Sequence, residues 1–228
     1  MMAQINLAFL FTMFFLFSSN ASSIDSSLVN TQNKTLTQTQ TPSMILIDSS
    51  CRGTLYQDLC FRCLRKFSNF TIDGPQHLAH VALSVSLYKA LDTRGYLLKV
   101  AKEFEAIKDN TFVYQTVLDC VKQITDSVDE LSQAIKELRR LNKHNDSGIN
   151  DEFLWHISNV ETWVSTALTD ASYCVESFPG HRMSKRTASI KVKAKNVAEV
   201  TSNALALFHR YASRYQAAAE ARNANKHN

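Results

Sequence analysis

Between Phe112 and Leu141 the apolar residues Val117, Val121, Ile124, Val128, Leu131, Ile135 and Leu138 recur at alternating spacings of four and three. A strand alternates faces every second residue and scatters such a set, whereas an α-helix gathers it into one stripe. Lys122, Gln123, Asp126, Asp129, Glu130, Lys136 and Glu137 take the other faces, so this segment is an amphipathic helix that must bury one side. Three more stripes follow the same rule. Leu78, Val81, Val85, Tyr88, Leu91, Leu98, Ala101 and Phe104 form a looser one, expected to bend at Gly95 and to start behind Asp73-Gly74-Pro75. Phe153, Ile157, Val160, Val164, Ala167, Ala171 and Val175 form the third, stopped by Pro179-Gly180. Ile190, Val197, Val200, Ala204, Leu207, Tyr211 and Tyr215 form the fourth. Only 5 glycines and 3 prolines occur in 228 residues, which disfavours a turn-rich β fold. The expected fold is therefore all-α, an up-and-down four-helix bundle in which the stripes bury one another.

Ahead of these stripes, Ile5 to Phe17 (INLAFLFTMFFLF) is apolar, too short to span a bilayer, and followed by small residues. Residues 1–23 thus read as a secretory signal peptide cut near Ala21 to Ser23. Met1 to Gln4 carry no Lys or Arg, which leaves an uncleaved anchor as the alternative. Residues 24–43 are polar and Ser/Thr/Gln/Asn-rich, a disordered linker. The helical domain is expected over 44–220 and a disordered tail over 221–228. The sequons at Asn33, Asn69 and Asn145 are candidate glycan sites; the one at Asn20 sits against the cleavage point.

Export places the five cysteines in an oxidising compartment, where disulfides come before metal ligands. If Cys51 and Cys60 pair, they cannot share one straight helix. Their separation spans about 13.5 Å of helix, and bonded Cα atoms lie within about 7 Å. The chain would turn back at Arg52-Gly53-Thr54, making a stapled hairpin of short helices before the bundle. A bond between Cys120 and Cys174 would clamp the second and third long helices, closing a loop worth about 4 kcal/mol in the chain-entropy account. Cys63 is then either a spare buried thiol or the partner of Cys51 in place of Cys60.

Charge is uneven. From His181 to Asn228 ten basic residues oppose only Glu199 and Glu220, a segment of +8 within a chain of +4. Such a segment is either a solvated helix face or a surface for acidic polysaccharide, anionic membrane or acidic protein. No glycine-rich phosphate loop, GxSxG elbow or HExxH helix motif occurs, so no catalytic residue and no cofactor is assigned. Cys60-Phe-Arg-Cys63 has CxxC spacing but no second pair to complete a zinc site. His77 and His80 share a helix face without a third ligand in view, so no metal site is assigned either. Trp155 and Trp163 are core or groove residues, with a partner anchor as the alternative.

The order and spacing of several segments resemble the plant invertase inhibitor and pectin methylesterase inhibitor family, from about Met44 to Tyr215. They are CRGTLYQDLC from Cys51 to Cys60, LAHVALSVSL from Leu78, Leu118-Asp119-Cys120 followed by VDEL, TWVSTALTDASYC ending at Cys174, and VTSNALAL from Val200 to Leu207. The resemblance implies a four-helix bundle behind a helical hairpin, with disulfides first-to-second and third-to-fourth. The invertase-directed kind carries Pro-Lys-Phe between the third and fourth cysteines; Val121 to Tyr173 contains no proline. Glu161 to Asp170 (ETWVSTALTD) is similar to the methylesterase-directed kind. The resemblance therefore implies a secreted inhibitor in the cell wall that covers the pectin-binding cleft of a pectin methylesterase, one to one, without chemistry of its own. Some pectin methylesterases carry this domain as a pro-region; the chain ends at Asn228, and a free-standing inhibitor is expected. The interface is expected on solvent faces of the second and third long helices, at Gln115, Asp119, Lys122, Asp126, Thr162, Thr166, Thr169 and Asp170. Carboxylates there would make binding depend on pH, and the resemblance implies tighter binding at mildly acidic pH. Two departures stand out: Tyr173 where the family often has Thr before the fourth cysteine, and a longer stretch around Asn142 to Asp151. Invertase inhibition is the first alternative, and a non-inhibitory wall-binding protein using the basic segment, with acidic pectin as its partner, is the second.

Overall fold

A computed structural model describes residues 41–107, 111–144, 150–178 and 183–226. The predicted signal peptide, most of the linker, the sequons at Asn33 and Asn145 and the Pro179-Gly180 stop lie outside them. The described residues form six α-helices and no strand: α1 (Pro42–Cys51), α2 (Gln57–Leu64), α3 (Pro75–Ile107), α4 (Thr111–His144), α5 (Asp151–Glu176) and α6 (Lys185–Lys226). The last four pack as a ring, α3 on α4, α4 on α5, α5 on α6 and α6 back on α3. The all-α bundle behind a helical hairpin is therefore the architecture observed.

The starts follow from local chemistry. Thr41 caps α1 by accepting from the Met44 N–H, with Pro42 at the first helical position, where its missing N–H costs nothing. This begins the ordered chain ahead of residue 44, inside the stretch expected to be linker. Gly74 precedes α3 at φ +129°, a conformation that L side chains avoid. Asn150 caps α5 by accepting from Phe153 N–H at 2.8 Å, and Asp151 and Glu152 in its first turn complement the helix dipole. At the other end α6 continues as helix through 221–226, where the sequence reading placed a disordered tail.

Three of the four stripes form the core as written: Ile124, Leu131, Leu138, Ile157, Val164, Ala167, Ile190, Val197 and Ala204 are fully buried. The α3 stripe is rotated. Leu98 faces solvent while Leu83, Ala90 and Leu97 are fully buried beside Ser86 and Thr93. Ser86 hides its hydroxyl by donating to Ala82 C=O one turn back, so a polar letter occupies a core position. The helix also runs on through Gly95 as one element.

Cys51 and Cys60 are bonded, with Cα atoms 5.6 Å apart, and the chain reverses between α1 and α2. Asn203 on α6 seats this hairpin: its Oδ1 accepts from Tyr56 N–H at 3.1 Å and its Nδ2 donates to Tyr56 C=O at 2.9 Å. Arg210 donates to the Ser50 carbonyl at the end of α1. Its guanidinium lies against Gly53, where a Cβ would come within 2.5 Å of it. Cys63 is unbonded and half-buried, and burial pushes its thiol pKa up, which opposes nucleophilic use.

Candidate functional site

Cys120 and Cys174 are bonded, Cα to Cα 4.7 Å, both fully buried between α4 and α5. Seven residues further along α4, buried Ser127 donates to Ala167 C=O, seven residues back along α5. Further still, Glu137 Oε2 lies 2.6 Å from His156 Nδ1, and Arg140 pairs with the other carboxylate oxygen at 2.6 Å. These three links hold the two helices antiparallel in a single register.

That register brings Asp170 beside Lys122 and Asp126. Lys122 Nζ donates to Asp126 Oδ2 at 2.5 Å, and this bond holds the ammonium pKa up. Desolvation raises the Asp170 pKa, the Asp126 carboxylate adds to the rise, and Lys122 opposes it. Desolvation also raises Glu130, followed by the charges of Asp170, Asp126 and Asp129. The seam between α4 and α5 is thus a run of carboxylates partly offset by one lysine. Of the eight expected interface residues, the structure gathers Lys122, Asp126 and Asp170. Gln115 and Asp119 stand exposed nearer the start of α4.

Thr162, Thr166 and Thr169 are exposed along α5. Thr166 and Thr169 donate to the carbonyls of Thr162 and Ser165, which leaves their methyl groups and oxygen lone pairs outward. Two residues of this face were not among the expected interface positions. Glu130 looked like ordinary solvent-face charge until the register set it beside Asp170. Tyr173, 55 % exposed, continues the threonine row at helical spacing, and that spacing was available in the sequence.

The basic segment is largely tied to its own bundle. Arg186 pairs with Glu103 at 3.0 Å, Lys195 with Glu199 at 3.7 Å, and Lys193 with Asp92 at 2.9 Å while lying over the Tyr96 ring. Lys191 donates to Phe178 C=O. Among the described residues no group of three His, Cys, Asp or Glu is placed to hold a metal. No described helix is long and apolar enough to cross a membrane. Asn69, with its sequon, is exposed in the turn before α3.

A disulfide-clamped helical bundle that offers a polar, rigid two-helix face is the build of a protein-binding module. Residues 45–207 match the family of plant invertase/pectin methylesterase inhibitors, and the chain belongs to that family. It is 35% identical over 190 residues to pectinesterase inhibitor 9 of Arabidopsis thaliana, covering 82% of this chain and 91% of that one. It is likewise 35% identical over 176 residues to a 21 kDa protein of Daucus carota, covering 77% and 88%. A crystal structure of a mutant pectin methylesterase inhibitor from Arabidopsis shares the fold at a TM-score of 0.55 and 18% identity, covering 72% of this chain and 95% of that one. The protein is accordingly of an inhibitor family and not an enzyme.

Proposed function

We propose that the protein is a secreted inhibitor of pectin methylesterase, acting in the plant cell wall by covering the enzyme's pectin-binding cleft in a one-to-one complex. The observation that carries this reading is the clamped α4/α5 seam, where Lys122, Asp126, Glu130 and Asp170 converge on helices fixed in register. Gln115, Asp119, Thr162, Thr166 and Thr169 extend that face on either side, and each contributes polar contact instead of chemistry. Methylesterase is chosen over invertase because relatives at 34–35% identity are named pectinesterase inhibitors and because 121–173 lacks proline.

Carboxylates whose pKa is already raised by burial and by one another are costly to desolvate as anions. Protonation removes that cost, so the complex tightens as pH falls toward the range in which Asp170 and Glu130 take up protons. The test is direct: purified protein is added separately to a plant pectin methylesterase and to a cell-wall invertase. Loss of methylesterase activity alone is the expected result, with a 1:1 complex on size exclusion. Loss of invertase activity alone would overturn the assignment.

A further inference from the structure

On the side of the molecule formed by α1, α3 and α6, a groove of about 240 Å³ carries Arg210 and Arg214 above an apolar floor that includes Leu46, Leu78 and Leu207. Ser49 supplies a hydroxyl at its wall, and no carboxylate lines it. Arg214 stands apart from the rest of the basic segment, whose described lysines and arginines largely answer to acidic side chains or carbonyls. Arg210 gives Nε to Ala206 C=O and Nη2 to Ser50 C=O and packs Nη1 against Gly53, so it contributes a fixed positive charge to the groove wall. Arg214, one turn later on the same face, is exposed and has no hydrogen-bond or ion-pair partner among the described residues. Two guanidinium groups one turn apart repel, and an arriving carboxylate relieves both.

We propose that this groove binds a uronate residue of de-esterified pectin, the polymer that the esterase leaves behind. A pyranose ring presents an apolar face to leucine side chains and hydroxyls to a serine, while its carboxylate meets the planar Arg214 guanidinium beside the fixed charge of Arg210. The volume lies below the roughly 300–1,000 Å³ of a drug-sized pocket, which fits one sugar of a long chain held by repetition along the polymer. Methyl esterification removes the charge that the arginines require, so the groove distinguishes product from substrate. The choice of uronate among carboxylates rests on the esterase reading above; the groove itself lies on helices other than the α4/α5 pair.

The test uses the full secreted chain on immobilised polygalacturonate and, in parallel, on highly methyl-esterified pectin. Retention is expected on polygalacturonate only and should fall as salt rises. Arg214→Gln should weaken it about three- to tenfold, whereas Lys185→Gln, an exposed lysine outside the groove, should leave it unchanged. Equal retention on both polymers, equal losses in both variants, or an Arg214→Gln protein that binds like the parent would each overturn the proposal. Methylesterase inhibition is measured on the same variants. Arg214→Gln is expected to inhibit normally, so failure of the groove and failure of the inhibitor reading show up in different assays.

Discussion

Removing the α4–α5 clamp is the sharpest test of how this bundle keeps its shape. In a Cys120→Ala/Cys174→Ala double variant, the unfolded chain regains the freedom of a loop with sequence separation 54. Loop closure over that length is worth about 4 kcal/mol, against about 2.5 kcal/mol for the separation of 9 at Cys51–Cys60. Alanine is the right replacement because both sites are fully buried and a serine hydroxyl would enter the core without a planned partner. For a domain of this size each kcal/mol moves the melting point by about 2–4 °C, so the clamp variant should melt roughly 10 °C lower. Urea titrations followed by far-UV circular dichroism would compare wild type, Cys120→Ala/Cys174→Ala and Cys51→Ala/Cys60→Ala. The clamp variant should lose more stability and show the larger increase in m-value, because its unfolded state expands more. Equal losses in the two variants, or a larger loss from the hairpin pair, would refute the loop-closure account. The clamp would then act through local packing alone.

Three other outcomes are expected. Asp170→Asn should flatten the acid-side gain in methylesterase affinity, measured by calorimetric titration from neutral to mildly acidic pH; an unchanged slope would remove Asp170 from the linkage. In the free protein the raised carboxylate pKa values mean the native state holds more protons than the unfolded state, so these groups lower stability as pH rises through their folded pKa. Asp170→Asn should therefore melt no lower than wild type at neutral pH and lose part of that dependence. Tyr173→Ala should weaken the complex by about 2 kcal/mol, near thirtyfold, with the bundle's unfolding free energy within about 0.5 kcal/mol of wild type; an affinity within twofold of wild type would exclude Tyr173 as an anchor. Asn203→Leu strips both backbone partners from Tyr56 and should cost about 1–3 kcal/mol, read as faster proteolysis of the α1–α2 turn ahead of the bundle. Uniform cleavage kinetics would show that the hairpin is not seated there.

The bundle was legible because three stripes consist almost wholly of aliphatic letters at helical spacing. The α3 stripe was not, since Ser86 sits in the core with its hydroxyl turned back on Ala82 and reads as a surface letter. At the C-terminus the stretch QAAAEARNANK is rich in good helix formers, and α6 continues through it. The acidic seam was half visible. Lys122 and Asp126 are four apart and declare their pairing, but Asp170 joins them only through the register that Cys120–Cys174 and Ser127–Ala167 impose. The basic segment misled in the opposite direction. Its count of charges left an open cationic surface possible, but the partners that answer Arg186 and Lys193 are Glu103 and Asp92, far earlier in the chain on α3.

These facts bear on how such a face can inhibit at all. A polar surface gains little from burial per unit area, so its affinity depends on how little order the complex must still impose. Here the ordering is paid for in folding: a disulfide, a cross-helix hydroxyl bond and the Glu137–His156 link fix α4 against α5 at three heights before any partner arrives. The face is therefore preorganised, while the charges on it remain adjustable by protonation. Breaking the register links should consequently slow association and weaken the complex even where the contact residues are intact. A Ser127→Ala variant separates the two effects, since Ser127 is fully buried and its hydroxyl bonds only within the bundle. It should lose about 1 kcal/mol of stability and a measurable part of its affinity, with its pH dependence intact. If affinity is untouched while stability falls, register is not what this surface contributes, and the individual side chains of the seam carry the binding.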